Sequence, residues 1–242
     1  MPDLAKSLGV RFLAATNLSR RGSGERLAIA PVPAVKTCPG SRRLALPAPQ
    51  PPPADLWQIL AHRRSRRRYG TRPVTLSELA ILLWASQGLT DPSRRPELRA
   101  APSAGALHPI ETYCLCHRVE DVAPAIAHLD VAAFALEILA EGPVREPLLS
   151  ALLGQTMAMG AAVTVVWSAR LRRTMAKYGD RGLRYIWLDA GHLAQNLLLA
   201  AEALGLAACP VGAFCDDELN QLLGLDGQEE TVLYLVTVGP PA

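Results

Sequence analysis

The segment from residue 183 to residue 204 limits the folds open to this chain more than any other part of the sequence. Apolar side chains recur along it at intervals of three and four, the period of one face of an α-helix, at Ile186, Ala190, Leu193, Leu197, Ala201 and Leu204. Because several of the intervening residues are alanines, a second helix can pack closely against this one. We therefore predict a long helix in the core of the fold.

The remaining segments divide into helical and strand-forming patterns. Runs of β-branched residues bounded by Pro, Gly or polar turns predict strands at 111–119, 162–168 and 231–238, which we expect to form one sheet. Helices are predicted at 56–62, where Asp55 can cap the first turn, and at 77–87, 129–140, 146–153 and 216–223. Helix should therefore dominate, with a single sheet among the helices.

The first 54 residues differ from the rest of the chain in charge and in proline content. Eight Lys and Arg oppose two acidic residues there, a net charge of +6, so residues 55–242 carry −3 of the total of +3. Five prolines within residues 46–53 exclude a regular element and predict an extended connector. We predict a basic, irregular lead segment or arm at 1–54 and a folded domain at 55–242. Because the excess positive charge is confined to the arm, we predict no nucleic-acid-binding surface.

Cysteine usage and hydropathy predict a soluble, cytoplasmic protein. The five cysteines are odd in number and irregularly spaced, unlike a disulfide-linked secreted scaffold. Residues 1–24 lack the continuous apolar core of a signal peptide, and polar residues interrupt the long helix, so no membrane insertion is expected. Cys114 and Cys116 would share one face of a strand, but no second Cys or His pair lies near them in sequence. We interpret both as buried apolar residues and predict no metal site.

Residues 63–68 place five arginines around Ser65 at the carboxyl end of the predicted 56–62 helix. Cations interact favourably with the helix dipole there, so the cluster can be a charged cap. A hydroxyl among arginines can also bind a terminal phosphate, through bidentate guanidinium contacts and a short hydroxyl hydrogen bond. The residues alone leave these two interpretations about equally supported.

Two turns rich in small residues could admit a flat ligand beside the backbone. Residues 101–109 offer Ser103 as donor and acceptor and Gly105 without side-chain bulk, whereas His108 can face a ligand or, as is commoner, satisfy a turn carbonyl. Residues 209–214 leave backbone amides free just before a helix. Neither turn is specific by itself, because glycine before a helix is common.

In chain order, these motifs resemble the nitroreductase superfamily, and within it the SagB-type dehydrogenases. The matching stretches are Arg-Arg-Ser-x-Arg-x-Tyr at 63–69, Pro-Ser-Ala-Gly-Ala-Leu-His-Pro at 102–109, Lys-Tyr-Gly at 177–179, Gly-His-Leu-Ala-Gln-Asn-Leu at 191–197 and Gly-Ala-Phe-Cys-Asp-Asp-Glu-Leu at 212–219. The resemblance covers residues 55–239 and, more loosely, 36–46. It implies a three-layer α+β fold with a central antiparallel (mixed) sheet flanked by helices, and an FMN at the interface of a homodimer.

The resemblance also assigns residues to the cofactor. It implies FMN phosphate and ribityl contacts from Arg63, Arg64, Ser65 and Arg67, an isoalloxazine ring along Pro102, Ser103, Ala104, Gly105, Ala106 and Leu107, and an N5 edge near Gly212 and Ala213. Because the chain ends soon after its last predicted strand, we expect the arginines to bind the phosphate without the C-terminal extension of many nitroreductases. His192, Gln195 and Asn196 could contact the flavin or the dimer partner, or be hydrogen-bonded core residues.

Lys177 and Tyr178 distinguish functions within this fold. The resemblance implies that the pair is catalytic: Lys177 removes the proton alpha to the imine and carbonyl of a thiazoline or oxazoline ring, hydride passes to flavin N5, and an aromatic thiazole or oxazole remains. Lysine suits this role only if burial or a nearby cation lowers its pKa, to which Arg181 and Arg184 could contribute. The alternative is an exposed loop pair within a polar run.

Two other functions stay open. One is an ordinary NAD(P)H-dependent nitro- or quinone reductase, in which a nicotinamide replaces the peptide above the flavin. The other is a non-catalytic scaffold that holds a cyclodehydratase. The partners implied by the main interpretation are a second copy of the chain, a cyclodehydratase and an azoline-containing peptide, although the lead segment is short for recognising a long peptide.

Overall fold

The computed structural model describes residues 4–18, 30, 32–33, 35–91, 93 and 97–242. Its strands are β1 (Arg42–Ala45), β2 (Leu89–Asp91), β3 (Leu98–Arg99), β4 (Ile110–Cys116), β5 (Ala125–Asp130), β6 (Ala135–Glu141), β7 (Val163–Arg170), β8 (Ala207–Val211) and β9 (Glu230–Gly239). Its helices are α1 (Leu8–Ala15), α2 (Leu56–His62), α3 (Leu76–Gln87), α4 (Arg145–Ala151), α5 (Met157–Gly160), α6 (Leu171–Tyr178), α7 (Gly182–Ala203) and α8 (Asp216–Leu223). Among these helices none combines the length and the apolar character that a membrane crossing requires.

Seven strands form one sheet in the order β1-β6-β5-β4-β7-β9-β8, and every neighbouring pair is antiparallel. Side chains alternate between its two faces. On β4, Cys114 and Cys116 pack with residues of α3 and α7, whereas Tyr113 and Leu115 pack with residues of α4 and α8. The fold is therefore α+β, with an antiparallel sheet between two layers of helices, and both β4 cysteines are buried as predicted.

Most of the predicted elements are confirmed. The long helix is α7, and its stripe from Ile186 to Ala201 lies in the core. Asp55 caps α2 by accepting hydrogen bonds from the amides of Trp57 and Gln58. A capping box between Thr75 and Glu78 starts α3.

The predicted helix at 129–140 is wrong, because β5 and β6 pair there as antiparallel strands with Leu129 opposite Leu136. In the turn between them, the Asp130 carboxylate accepts a hydrogen bond from the amide of Ala133 at 3.0 Å, and Phe134 has a φ of +47°. Alanine and leucine favour a helix locally. Pairing with β4 on one side and β1 on the other overrides that preference.

The lead segment is not irregular throughout. Ser7 caps α1, and β1 forms an edge of the sheet with Arg43 opposite Glu137. The expectation of an irregular arm is therefore wrong for Leu8–Ala15 and for Arg42–Ala45. Residues 46–55 contain no helix or strand, as the prolines predict. Residues 1–3, 19–29, 31 and 34 of the predicted arm lie outside the described residues.

Candidate functional site

The loop at 102–108 is fixed by a buried carboxylate on α7. Ser103 Oγ donates to Asp189 Oδ2 at 2.6 Å, and the amide of Ala104 donates to Asp189 Oδ1 at 3.3 Å. Asp189 is only 3% exposed. Burial raises the pKa of its carboxyl, and the hydrogen bonds from Ser103 and Ala104 oppose that rise. Sequence reasoning missed this role, although an acidic residue beside the apolar stripe of a core helix is a signal that it has a partner.

Several residues of the same loop have left-handed backbone conformations. Gly105 has a φ of +66°, and the neighbouring Ala106 and His108 have values of +53° and +45°. A non-glycine residue in this region costs about 1–2 kcal/mol. The conformation persists because Ser103 also accepts a hydrogen bond from the amide of His108 at 2.9 Å, which closes the loop around Asp189.

His108 serves the loop itself. Its Nε2 lies 3.3 Å from the carbonyl oxygen of Glu97, and its own carbonyl accepts a hydrogen bond from Arg173 at 3.0 Å. Burial, together with the nearby Arg99, lowers the pKa of His108 to about 4. The ring is therefore neutral near pH 7, which supports the turn role.

Lys177 and Tyr178 lie at the carboxyl end of α6 and meet this loop at Gly105. A Cβ atom on Gly105 would lie 2.6 Å from Tyr178 Oη and 2.9 Å from Lys177 Nζ. The ammonium lies 5.2 Å from the centroid of the Tyr178 ring, and that ring packs edge-on against Tyr185 at 5.0 Å. The pair thus stands on a helix, not in a loop, and the structure brings both side chains to the predicted ring-binding segment.

Arg181 and Arg184 are occupied by α1. Arg181 donates to the carbonyl of Thr16 at 2.7 Å, and Arg184 donates to Thr16 Oγ1 at 2.7 Å and to the carbonyl of Leu13. Arg181 also donates to the hydroxyl of Tyr185 at 2.8 Å. Their main contacts therefore hold the end of α1 rather than Lys177.

The arginines at 63–68 follow α2 and divide into different roles. Arg64 donates to the carbonyls of Ala61 and Arg63 at 2.9 and 2.8 Å, which is the charged-cap arrangement. Arg66 pairs with Glu202 of α7 at 3.0 Å. Arg63 is partly exposed, and Ser65, Arg67 and Arg68 are exposed. The exposed donors of this segment are available to a ligand.

The arginine segment runs along the β8 edge of the sheet. Ser65 forms a parallel bridge with Ala208, and the amide of Arg66 donates to the Ala208 carbonyl at 2.9 Å. Gly212 and Ala213, both exposed, directly follow β8. Gly212 lies four residues beyond Ala208, or about 13 Å along the strand direction. The structure therefore brings the arginine segment and the Gly212 turn to the same edge of the sheet.

Within one chain, the loop and the arginine segment are attached to distant parts of α7. Asp189, which holds the loop, and Glu202, which binds Arg66, are 13 positions apart on this helix. That separation corresponds to about 20 Å at 1.5 Å per residue. The predicted cofactor residues thus form two groups, the loop with Lys177 and Tyr178, and the arginines with Gly212 and Ala213.

The three polar residues of α7 whose roles the sequence left open differ in their surroundings. Asn196 donates to the carbonyl of Ala85 at 3.1 Å, so it ties α7 to α3 as a hydrogen-bonded core residue. His192 and Gln195 are exposed on the surface of the single chain.

The sequence model of the nitroreductase family matches residues 60–240. The protein named "Putative nitroreductase MJ1384" of Methanocaldococcus jannaschii is 35% identical over 184 residues, which cover 76% of this chain and 90% of that protein. The trifolitoxin-processing protein TfxB of Rhizobium leguminosarum bv. trifolii is 27% identical over 145 residues, 58% of this chain and 39% of that protein. The range of the family model includes every predicted site residue, from Arg63 to Ala213.

Solved structures share the fold. A "putative nitroreductase" from Anabaena variabilis has a TM-score of 0.73 at 31% identity and covers 84% of this chain, which spans only 42% of that one. A chain of the E. coli microcin synthetase McbBCD complex with truncated pro-MccB17 bound has a TM-score of 0.63 at 24% identity, covering 75% of this chain and 72% of its own. A Desulfovibrio desulfuricans "putative nitroreductase" in complex with FMN has a TM-score of 0.56 at 22% identity, covering 79% and 88%.

Proposed function

Because this chain belongs to the nitroreductase family, we propose that it is an FMN-dependent oxidoreductase that converts thiazoline or oxazoline rings to thiazoles or oxazoles. The observation that carries the proposal is the meeting of Lys177 Nζ and Tyr178 Oη at Gly105. A base and a phenol there face the one position of the loop that has no side chain to shield the backbone. A flat ring lying on that loop would have both groups within reach.

Two of the similar proteins support the choice of substrate class. One is named a trifolitoxin-processing protein, and the other is a microcin synthetase complex with a truncated pro-form bound. One name describes processing and the other a synthetase with a bound pro-form, which agrees with a ring substrate carried on a precursor. The fold and the family alone are equally compatible with a nitroreductase, so the Lys177–Tyr178 pair has to distinguish the two.

The residues present fit FMN. Arg63, Ser65 and Arg67 offer partly or fully exposed donors suited to a phosphate. Arg64 caps the carboxyl end of α2 by donating to the Ala61 carbonyl. Small residues at 102–107 and at Gly212 and Ala213 leave room for a flat ring beside the backbone. When bound, FMN would supply the two-electron acceptor of the reaction.

Lys177 is assigned the proton transfer. Its amine takes the proton alpha to the imine and carbonyl, and loss of a hydride from the adjacent ring carbon leaves the aromatic azole. Tyr178 is assigned to position the amine, since its ring contacts the ammonium and is itself held by Tyr185. The Lys177 side chain is exposed in the single chain, so the burial that would favour its neutral form has to come from substrate, cofactor and a partner subunit.

We further propose that two copies of the chain form the complete site. Large apolar side chains are exposed on α2 and α7, namely Leu56, Trp57, Leu60, Trp187 and Leu188, with Trp57 76% exposed. Such a surface is typical of an interface. A two-fold dimer through these helices would bring the arginine segment of one copy to the loop of the other, two groups whose anchors lie about 20 Å apart along α7 within one chain.

The first prediction tests Lys177 directly. Lys177→Ala should retain FMN and fold normally but lose at least 100-fold in azoline oxidation, the range of one general base. The assay measures azole formation on a peptide that a cyclodehydratase has already converted to its azoline form. Arg172→Ala is the matched control, because it removes an exposed cation of the same helix, one that pairs with Glu229, and it should leave turnover unchanged.

The same preparations separate the alternatives. The protein would be an ordinary nitroreductase if Lys177→Ala kept full turnover with NADPH and a nitroaromatic and the unmodified protein did not oxidise azolines. Purified protein that is colourless and does not take up FMN on reconstitution would assign a non-catalytic scaffold.

A further inference from the structure

A thiol, an imidazole and a carboxylate meet at the β1 end of the sheet. Pairing of β1, β6 and β5 sets Arg43, Glu137 and His128 side by side in one cross-strand row. Cys38 closes the row from the segment before β1, where its amide donates to Glu137 Oε2 at 3.0 Å. The sulfur of Cys38, a ring nitrogen of His128 and a carboxylate oxygen of Glu137 all lie within 4.8 Å of one another.

The spacing of these atoms suits a small tetrahedral ion. His128 Nδ1 and Glu137 Oε2 are 3.0 Å apart. Two ligands at the zinc bond length of about 2.0–2.1 Å are separated by about 3.3 Å in a tetrahedron. An ion between them therefore requires a movement of only a few tenths of an ångström, and the longer zinc–sulfur bond of about 2.3 Å allows Cys38 a wider approach.

A second set of contacts would orient these ligands. His128 Nε2 lies 3.0 Å from Glu111 Oε2, the carboxylate–histidine arrangement that presents the other ring nitrogen to a metal. Arg43 binds Glu137 Oε1 at 2.9 Å, which leaves Oε2 as the metal-facing oxygen. Glu111 is itself fixed by Arg173 at 2.6 Å. Both ligands on the sheet are therefore held in place before any ion binds.

The charges of the surrounding side chains are also compatible with a bound divalent ion. Four carboxylates of the described residues join this region, those of Glu111, Asp130, Glu137 and Glu230, against the permanent cations Arg43, Arg173 and Lys36. A divalent ion that displaces one proton from Cys38 and one from His128 leaves the total charge of the cluster unchanged. His128 and Glu137 are fully buried and Cys38 is partly exposed, so an ion can enter on the Cys38 side.

We propose that Cys38, His128 and Glu137 bind one zinc ion, with a solvent molecule as fourth ligand, and that the ion fastens the segment before β1 to the β5–β6 hairpin. A thiolate, an imidazole and a carboxylate are all zinc ligands, and the thiolate selects against magnesium and calcium. Positions 38, 128 and 137 match no ligand-spacing motif, so only the pairing of the strands reveals the site.

Cobalt and zinc titrations of the full flavin-loaded chain test the site. After treatment with a chelator and its removal, one equivalent of Co²⁺ should give the intense red-region absorption of tetrahedral thiolate-bound cobalt, where flavin does not absorb, and Zn²⁺ should abolish it. Cys38→Ser should lose that absorption and bind Zn²⁺ at least tenfold more weakly against a chromophoric chelator. Glu111→Gln keeps all three ligands and should weaken Zn²⁺ binding by about 10–100-fold.

Cys215→Ser is the matched control, because Cys215 is also partly exposed but lies at the start of α8, far along the chain from Cys38, and its side chain makes no capping hydrogen bond there. It should keep the cobalt spectrum and the zinc affinity. Thermal unfolding in chelator should be the same for Cys38→Ser and the unmodified chain, so that lost binding is not lost folding. The proposal would be overturned if Cys38→Ser and the unmodified chain bound zinc equally well, or if the unmodified chain gave an octahedral cobalt spectrum. If Cys38→Ser does not fold, the zinc affinity of Glu111→Gln decides the question instead.

Discussion

A side chain added at Gly105 would have two effects, backbone strain and a clash with Lys177 and Tyr178. A side chain there is strained by the φ of +66° and also meets Tyr178 Oη at 2.6 Å and Lys177 Nζ at 2.9 Å. We predict that Gly105→Ala destabilises the fold by about 1 kcal/mol and, by displacing the pair, lowers azoline turnover by about 100-fold. Chemical denaturation and steady-state kinetics measure the two effects.

Gly154→Ala is the control for strain alone. Its φ is +75°, and an added Cβ would meet nothing within 4 Å. It should show the same loss of stability with unchanged turnover. If Gly105→Ala and Gly154→Ala had equal activities, Lys177 and Tyr178 would not depend on the loop.

At the level of single residues, the sequence could predict which side chains matter but not what holds them. The motif at 102–109 indicates Ser103 and Gly105, whereas their anchor, Asp189, is 86 residues away from Ser103 on a helix whose pattern only indicates packing. Arg64 and Arg66 flank Ser65 in the sequence, yet Arg64 caps α2 and Arg66 pairs with Glu202 of α7. These different roles depend on the three-dimensional path of the backbone, which a local sequence motif does not reveal.

Elements with strong local signals were predicted well, and elements that depend on distant partners were not. α7 has a helical stripe over its whole length, and α3 starts with a capping box. The hairpin of β5 and β6 has helix-favouring residues, and only its neighbours in the sheet make it extended. α1 is the opposite case, a helix of 8 residues with no buried side chain, too short to be stable alone.

Contacts from α7 should therefore decide whether α1 is folded. Arg184 donates to Leu13 and Thr16 at the carboxyl end of α1, and Phe12 packs edge-on against Trp187 at 5.6 Å. We predict that Arg184→Ala speeds hydrogen exchange of the α1 amides by about tenfold, since a charge-assisted hydrogen bond contributes about 1.5 kcal/mol. Mass spectrometry of the peptide containing residues 8–15 measures this.

Exchange elsewhere in the chain should be unchanged, and Arg172→Ala, which removes a surface pair with Glu229, should leave α1 as it is. Unaltered exchange of α1 in Arg184→Ala would mean that apolar packing on Trp187 alone holds this helix.

At the scale of the whole molecule, the two groups of predicted cofactor residues lead to a prediction about subunits. If each complete site takes its arginines from one copy and its Lys177 from the other, a chain lacking one group can be complemented by a chain lacking the other. Arg67→Ala should fail through weak FMN binding, and Lys177→Ala should fail in proton transfer. In a mixed dimer, one site then receives both defects and the other receives neither.

Equal amounts of the two variants, unfolded together and refolded with FMN, should therefore recover activity that neither has alone. Half of the randomly formed dimers are mixed, and each holds one intact site of two, so azoline turnover should reach about a quarter of the value for the unmodified protein. If the arginines and Lys177 acted within the same chain, each site of a mixed dimer would carry one defect, and mixing would restore nothing. Separately refolded variants, combined only afterwards, control for subunit exchange.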